Sequence, residues 1–190
     1  MIETRKFSSL DEAERRLIVS ARDSTMNAYA PYSGFAVGAA VLTRSGATFT
    51  GANLENASYG LGICAEVAAL AKANSADGDH IEAIAVVGHK FTEPPDASQV
   101  VTPCGRCRQL IFEAAQIADT DIRVFSCSGD LEHIRAALIS ELLPEAFGPS
   151  NLGLGQTWPR MRDALTRRVA ELRLAPAWAR NIGAKPPKHD

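Results

Sequence analysis

Apolar positions recur along this chain with two different periods, and the switches between them outline its elements. Near the N-terminus Leu10, Ala13, Leu17, Ala21 and Ala28 keep helical spacing, as one buried face of a 3.6-residue repeat requires. Ser9 with Glu12 three residues on predicts a capping box at the start of that helix. Ala30-Pro31-Tyr32-Ser33-Gly34 ends it in a turn. Residues 35–43, rich in Val, Ala and Leu, read as a strand, and Arg44-Ser45-Gly46 turns the chain into a second strand over 47–50. Residues 64–76 are alanine-rich with Val67, Leu70 and Ala71 on one face, which predicts a helix. Ile81-Glu82-Ala83-Ile84-Ala85-Val86-Val87 predicts a third, mostly buried strand. A polar, proline-containing loop over 90–98 follows, then a helix over 104–118, a strand over 121–126 and a helix over 131–142. Strand–helix alternation after an opening hairpin predicts a layered α/β sandwich.

The last forty residues follow a different pattern. Thr157 can cap a helix with Pro159 in its first turn, and Trp158, Met161, Leu165, Val169 and Leu172 lie at helical spacing. The other face carries Arg160, Arg162, Arg167, Arg168 and Arg173. Charge divides at the same place. Residues 1–150 hold 12 Lys/Arg against 19 Asp/Glu, whereas residues 151–190 hold 8 against 3. The break coincides with the Gly153–Gly155 stretch and predicts a boundary, with a main domain over 1–152 and a basic extension over 153–190. That extension reads as one amphipathic helix plus a frayed end over 185–190. Its arginines are the solvated side of that helix; aromatic groups are not interleaved with them, which argues against nucleic-acid binding.

At 190 residues, 46% apolar and 22% charged, the chain has the size and composition of one globular domain with an appendage. Its longest apolar run, around 81–88, is strand-sized, so no membrane span is expected. The first residues, Met1-Ile2-Glu3-Thr4-Arg5-Lys6, do not read as a secretory signal. Four cysteines, three of them in one pattern, argue against a disulfide framework and predict a reducing, cytoplasmic location.

That pattern is Cys64-Ala65-Glu66, followed some forty residues later by Pro103-Cys104-Gly105-Arg106-Cys107. Zinc takes thiolate ligands, and a catalytic site keeps one of four tetrahedral positions for water. Cys64, Cys104 and Cys107 fill three positions, and Glu66 can stand beside the fourth as general acid and base. This is the spacing of the zinc deaminases. Both ligand sets should open helices, where N–H groups and the helix dipole lower thiol pKa values. One Zn2+ and three thiolates sum to −1, and Arg106 and Arg108 are the candidates to offset that charge. A closed structural zinc site would need a fourth ligand, for which Cys127 is the spare cysteine; in a predicted strand it reads better as a small buried residue. A redox Cys-x-x-Cys would leave Cys64-Ala65-Glu66 unexplained. His80, His89, His133 and His189 show no ligand spacing.

Further segments match one family. Pro31-Tyr32-Ser33-Gly34-Phe35, Val37-Gly38-Ala39-Ala40, Asn53-Leu54-Glu55-Asn56-Ala57-Ser58-Tyr59 and Glu141-Leu142-Leu143-Pro144-Glu145-Ala146-Phe147, with the two cysteine segments, resemble the homo-oligomeric, zinc-dependent cytidine deaminases over about 10–152. The resemblance implies a three-layer α/β sandwich of a mixed sheet flanked by helices, and hydrolysis of cytidine or deoxycytidine to the uracil nucleoside and ammonia. It implies that Asn53 and Glu55 bind the ribose hydroxyls and that Phe35 stacks near sugar and base. The Ala65 backbone would read the pyrimidine edge, and the Thr102 carbonyl would accept the leaving amine. Phe147 would reach into a neighbouring subunit of a homotetramer. One departure stands out: the family usually has arginine directly after the catalytic glutamate, and this chain has Val67. Arg106, where the family more often has alanine, can supply the charge from the other ligand loop. Blasticidin-S deaminase resembles the chain in both features, so a modified cytosine nucleoside or cytosine-containing antibiotic is the alternative substrate. A zinc-containing but catalytically silent nucleoside-binding protein is the alternative of a different class.

Overall fold

The computed structural model describes residues 2–76, 80–94, 99–154 and 157–174. These fall in two compact units, Met1–Pro149 and Ser150–Asp190. In the first, β1 (Glu3–Arg5) precedes helix α1 (Glu12–Ser24), and a hairpin of β2 (Phe35–Thr43) and β3 (Thr48–Ala52) follows. Helix α2 (Ala65–Ser75), strand β4 (Ile81–Lys90), helix α3 (Gly105–Ala118), β5 (Arg123–Cys127), β6 (Ile134–Leu138) and the short α4 (Ile139–Leu142) complete it.

The six strands form one sheet in the order β1-β6-β5-β4-β2-β3. Only β4 and β5 run parallel, with α3 as their crossover; the other pairs are antiparallel. The sheet is therefore mixed. Because side chains alternate across a strand, β4 sends Ala83, Ala85 and Val87 to one face and Ile84 to the other. On the first face they meet Leu17, Ile18 and Ala21 of α1. On the second, Ile84, Val124, Ala39 and Val41 meet Ala65, Ala69 and Ala73 of α2 and Ile111 and Ala115 of α3. Helix, sheet and helix make three layers, the architecture that the resemblance implied.

Glycine lets the layers close. Gly38 on β2 and Gly51 on β3 are neighbours in the sheet on opposite faces. A Cβ on Gly38 would collide with Ala21 O and Ser24 Oγ of α1, and one on Gly51 with Ala69 N and, at 2.6 Å, with Ala65 O of α2. Both helices thus lie with their backbones directly on the sheet.

Three details differ from the sequence expectation. The cap of α1 is Asp11, whose Oδ1 accepts from Glu14 N at 2.8 Å while Glu14 returns the bond to Asp11 N at 3.1 Å. Ser9 instead sits in a 3-10 turn, its hydroxyl donating to Lys6 O at 2.7 Å. The helix expected over 131–142 is β6 plus the single turn α4. Residues 134–138 pair with β1 on one edge and β5 on the other, and that pairing outweighs local helix preference. The strand β1 was not anticipated: three residues are too few to show a period.

The second unit holds helix α5 (Trp158–Leu174), whose first bond runs from Met161 N to Thr157 O at 3.1 Å. Trp158, Met161, Leu165, Val169 and Leu172 are all exposed on it. The expected frayed end over 185–190 lies outside the described residues. None of the described helices is long and apolar enough to cross a membrane.

Candidate active site

Where β3 ends at Ala52, the chain leaves the sheet but stays tied to it. Asn53 Oδ1 accepts from Val37 N at 2.9 Å and Asn53 Nδ2 donates to Phe35 O at 3.0 Å, so the side chain copies a backbone pairing on β2. Leu54 and Ile63 then exchange two backbone bonds of 2.9 Å, which closes the loop 55–62 and delivers Cys64 to the start of α2. Cys64 is the N-cap of α2, and Cys104 is the N-cap of α3. Cys107 lies one turn further along α3, buried. Both ligand segments open helices, as expected from the sequence.

The three sulfurs converge. Cys64 Sγ and Cys104 Sγ are 4.0 Å apart, Cys104 Sγ and Cys107 Sγ 3.6 Å, and all three lie within 4.8 Å of one another. Zinc–sulfur bonds of about 2.3 Å at the tetrahedral angle need sulfurs about 3.8 Å apart. The donor set therefore fits Zn2+, with a fourth position left over. Cys127 cannot close that position: it lies on the opposite, α1 face of the sheet. Burial alone pushes its thiol up to about 12, the behaviour of an inert core residue.

Glu66 is 4% exposed, in the first turn of α2 beside the thiols. Burial is the largest influence on its carboxyl and raises it above the ordinary range; its own backbone N–H and the Cys107 thiol partly offset this. The thiols behave less simply than the helix-dipole argument predicted. Burial raises Cys64 and Cys107, and the negative groups around them add to the rise. Only Cys104 falls below its ordinary value: burial pushes it up, but the N–H groups of Cys107 and Arg106 and the neighbouring thiols together outweigh that. Desolvation wins over the helix terminus at the two more buried sulfurs.

A cleft of about 370 Å3 opens over this cluster. Cys64, Cys104, Ala65 and Glu66 line it on one side, with Asn53, Glu55 and Thr102 also on its walls. Glu55 is fixed from behind: its Oε2 accepts from Tyr32 N at 3.0 Å and Ser33 N at 3.2 Å, and hydrogen bonding led by Ser33 lowers its pKa. Phe35 sits at the start of β2, half-buried, its Cε1 2.8 Å from where a Cβ on Gly88 would lie. Phe147 is 62% exposed, and its carbonyl accepts from Gln109 Nε2 at 2.8 Å. The two arginines bind carbonyls. Arg106 Nη1 reaches Gly62 O at 3.4 Å, joining the two ligand loops; Arg108 donates to Pro103 O at 2.9 Å and to Leu142 O at 3.1 Å. Val67 is half-buried in the first turn of α2.

Sequence reasoning assigned no role to several lining residues. Val37, Ile63 and Val101 supply apolar wall, and Tyr59 supplies a ring that meets Tyr32 edge-on at 6.3 Å. Tyr59 closes the Asn53–Tyr59 segment, which was the available signal for it. Val37 likewise opens the matched segment Val37-Gly38-Ala39-Ala40, whereas Ile63 and Val101 carry no signal, since an apolar wall residue and a core residue look alike in sequence.

A three-thiol cluster at two helix N-termini, a buried carboxyl beside it and a cleft above it, on a three-layer α/β sandwich, define a hydrolytic zinc deaminase. The sequence profile of the family described as "Cytidine and deoxycytidylate deaminase zinc-binding region" matches residues 11–122, and the chain belongs to that family. It is 46% identical over 131 residues to the cytidine deaminase of Halalkalibacterium halodurans, covering 69% of this chain and 91% of that protein. It is 38% identical over 135 residues to the cytidine deaminase of Mycobacterium tuberculosis, covering 70% and 88%. The crystal structure of cytidine deaminase from Burkholderia pseudomallei superimposes with a TM-score of 0.61 at 39% identity, covering 73% of this chain and 100% of that one.

Proposed function

We infer that the protein is a cytidine deaminase, catalysing cytidine + H2O → uridine + NH3, and that the same site serves deoxycytidine. The observation that carries this reading is the convergence of three thiols and buried Glu66 under a cleft of about 370 Å3, in a chain so similar to proteins named cytidine deaminase. Cys64, Cys104 and Cys107 would hold the zinc. Bound there, the ion lowers the pKa of water toward neutrality and makes a nucleophile available.

The remaining work falls to the chain. Glu66 takes a proton from the attacking water and passes it to the ring nitrogen, then carries the proton of the new C4 hydroxyl to the amine, which leaves as ammonia. Its buried position keeps bulk water from competing for that proton, and its raised pKa suits a group that must both accept and donate. The Ala65 backbone addresses the pyrimidine edge, and the Thr102 carbonyl receives the departing amine. Asn53 and Glu55 bind the ribose hydroxyls, and β2 and the Tyr32–Ser33 turn hold both side chains in place. Phe35 supports the sugar and base from behind. Arg106 and Arg108 offset the negative charge of a three-thiolate zinc site from the α3 side. Exposed Phe147 fits the role of a residue that completes a neighbour's site in a homotetramer. A domain over 1–152, a separate basic extension over 153–190 and a cytoplasmic location complete the proposal.

Incubating the zinc-loaded protein with cytidine and following ammonia release tests it directly. Turnover with one zinc per chain is the expected outcome. A zinc-saturated protein that releases no ammonia from cytidine, deoxycytidine, N4-substituted cytidines or blasticidin S is not a deaminase.

A further inference from the structure

Next to the cleft, and sharing Thr102 with it, lies a second cavity of about 260 Å3 to which the deamination chemistry gives no role. Besides Thr102 and Glu141, its lining holds Arg108 of α3, buried Ser126 of β5 and exposed Arg135 of β6. The sheet explains two of them. Phe125, Cys127 and Ile134 face the α1 layer, so the alternating Ser126 and Arg135 face the α3 layer. Ser126 and Arg135 are also direct partners in the antiparallel register, which brings their side chains close together.

Ser126 is 3% exposed, and its hydroxyl has no hydrogen-bond partner among the described residues. A hydroxyl inside a sheet layer normally finds a partner, and this one opens into the cavity instead. Arg135 likewise has no ion-pair or hydrogen-bond partner among the described residues. Arg108 spends Nε and Nη1 on the Pro103 and Leu142 carbonyls, leaving the Nη2 hydrogens for a ligand. Glu141 is the acid in the lining, and its Oε2 accepts from Leu138 N at 2.9 Å. Two guanidiniums against one carboxylate leave the lining net positive. Planar guanidinium forks and a hydroxyl are the donors that bind phosphoryl oxygens.

We propose that Arg108, Ser126 and Arg135 form a binding site for the phosphoryl group of a small phosphate monoester, separate from the nucleoside cleft. The cavity exceeds the size of orthophosphate, so a sugar-sized group attached to the phosphate fits with it. Arg108 connects the two sites: its Nε bond to Pro103 O acts on the residue immediately before Cys104.

The test is calorimetric titration of the zinc-loaded full-length protein with inorganic phosphate and with ribose 5-phosphate, against chloride at matched ionic strength. One saturable site per chain is expected. Arg135→Gln should weaken it at least tenfold and Ser126→Ala several-fold, with zinc content, melting temperature and cytidine turnover of both variants at the parent level. Adding cytidine should not displace the phosphate. Absence of saturable binding, undiminished affinity in Arg135→Gln, or displacement by cytidine would each overturn the proposal. Because binding is read without turnover, this outcome is independent of whether the protein deaminates cytidine.

Discussion

The two faces of the central sheet are built for different ends. On the α1 face, Leu17, Ile18, Phe125 and Ile134 fill the space with large side chains. On the other, Ile111 of α3, Ile84 of β4 and Ile122 also pack, but α2 contributes mostly alanine (Ala65, Ala69 and Ala73), and Gly51 lets its backbone rest on β3 as Gly38 does for α1 on β2. The first face gains stability from apolar area. The second gives up some of that area for proximity: small residues bring the N-terminus of α2 down to that of α3, so that Cys64 meets Cys104 and Cys107. The lesson is that the face with the site must hold, beside its own apolar packing, a buried carboxyl and three thiols, groups whose desolvation is unfavourable.

This contrast can be broken most sharply at Glu66. Glu66→Gln keeps the shape but cannot take a proton, so kcat on cytidine should fall by roughly 10²–10⁴-fold, with zinc content unchanged. A variant retaining more than a tenth of parental kcat would remove Glu66 from its proposed role. On the opposite face the expectation reverses. Leu17→Ala should cost about 2–5 kcal/mol of stability, as cavities in cores do, read by chemical denaturation, while kcat per folded, zinc-loaded molecule stays at the parent level. A matching drop in kcat would show that the α1 layer also shapes the site. The smallest effect is expected at Asp11, the cap of α1. Asp11→Ala should lower stability by about 1 kcal/mol without touching zinc content or turnover, whereas Ser9→Ala should leave stability nearly unchanged.

Much of the chemistry was legible in the sequence because it is local. The helix beginning at Cys64 announces itself by its alanine run, and Cys104 and Cys107 sit one turn apart by spacing alone. Cys127 reads as core from its strand context, and the structure places it there, with no exposure. The α1 cap was ambiguous for a clear reason: Ser9-x-x-Glu12 and Asp11-x-x-Glu14 both satisfy the capping-box pattern. Only the backbone path, with Leu10 drawn into the core, chooses Asp11. Residues 131–142 misled in a similar way. Leu, Ile and Ala suit a helix, but both edges of 134–138 have partners distant in sequence, and strand pairing of that kind leaves little local trace.

By itself, then, the sequence pointed to the chemistry: three thiols at zinc-ligand spacing, a glutamate two residues after the first, and helices to present them. Those facts depend on residue type and on spacings shorter than one element. Tertiary structure decided what depends on distance between elements. It brought Cys64 within 4.0 Å of Cys104, let burial override the helix dipole at Cys64 and Cys107, and turned both arginines of the second ligand loop onto carbonyl oxygens. It also set Ser126 beside Arg135 in a cavity of their own. The physical reason is that desolvation and hydrogen-bond choice are properties of a packed environment, and a chain acquires that environment only by folding.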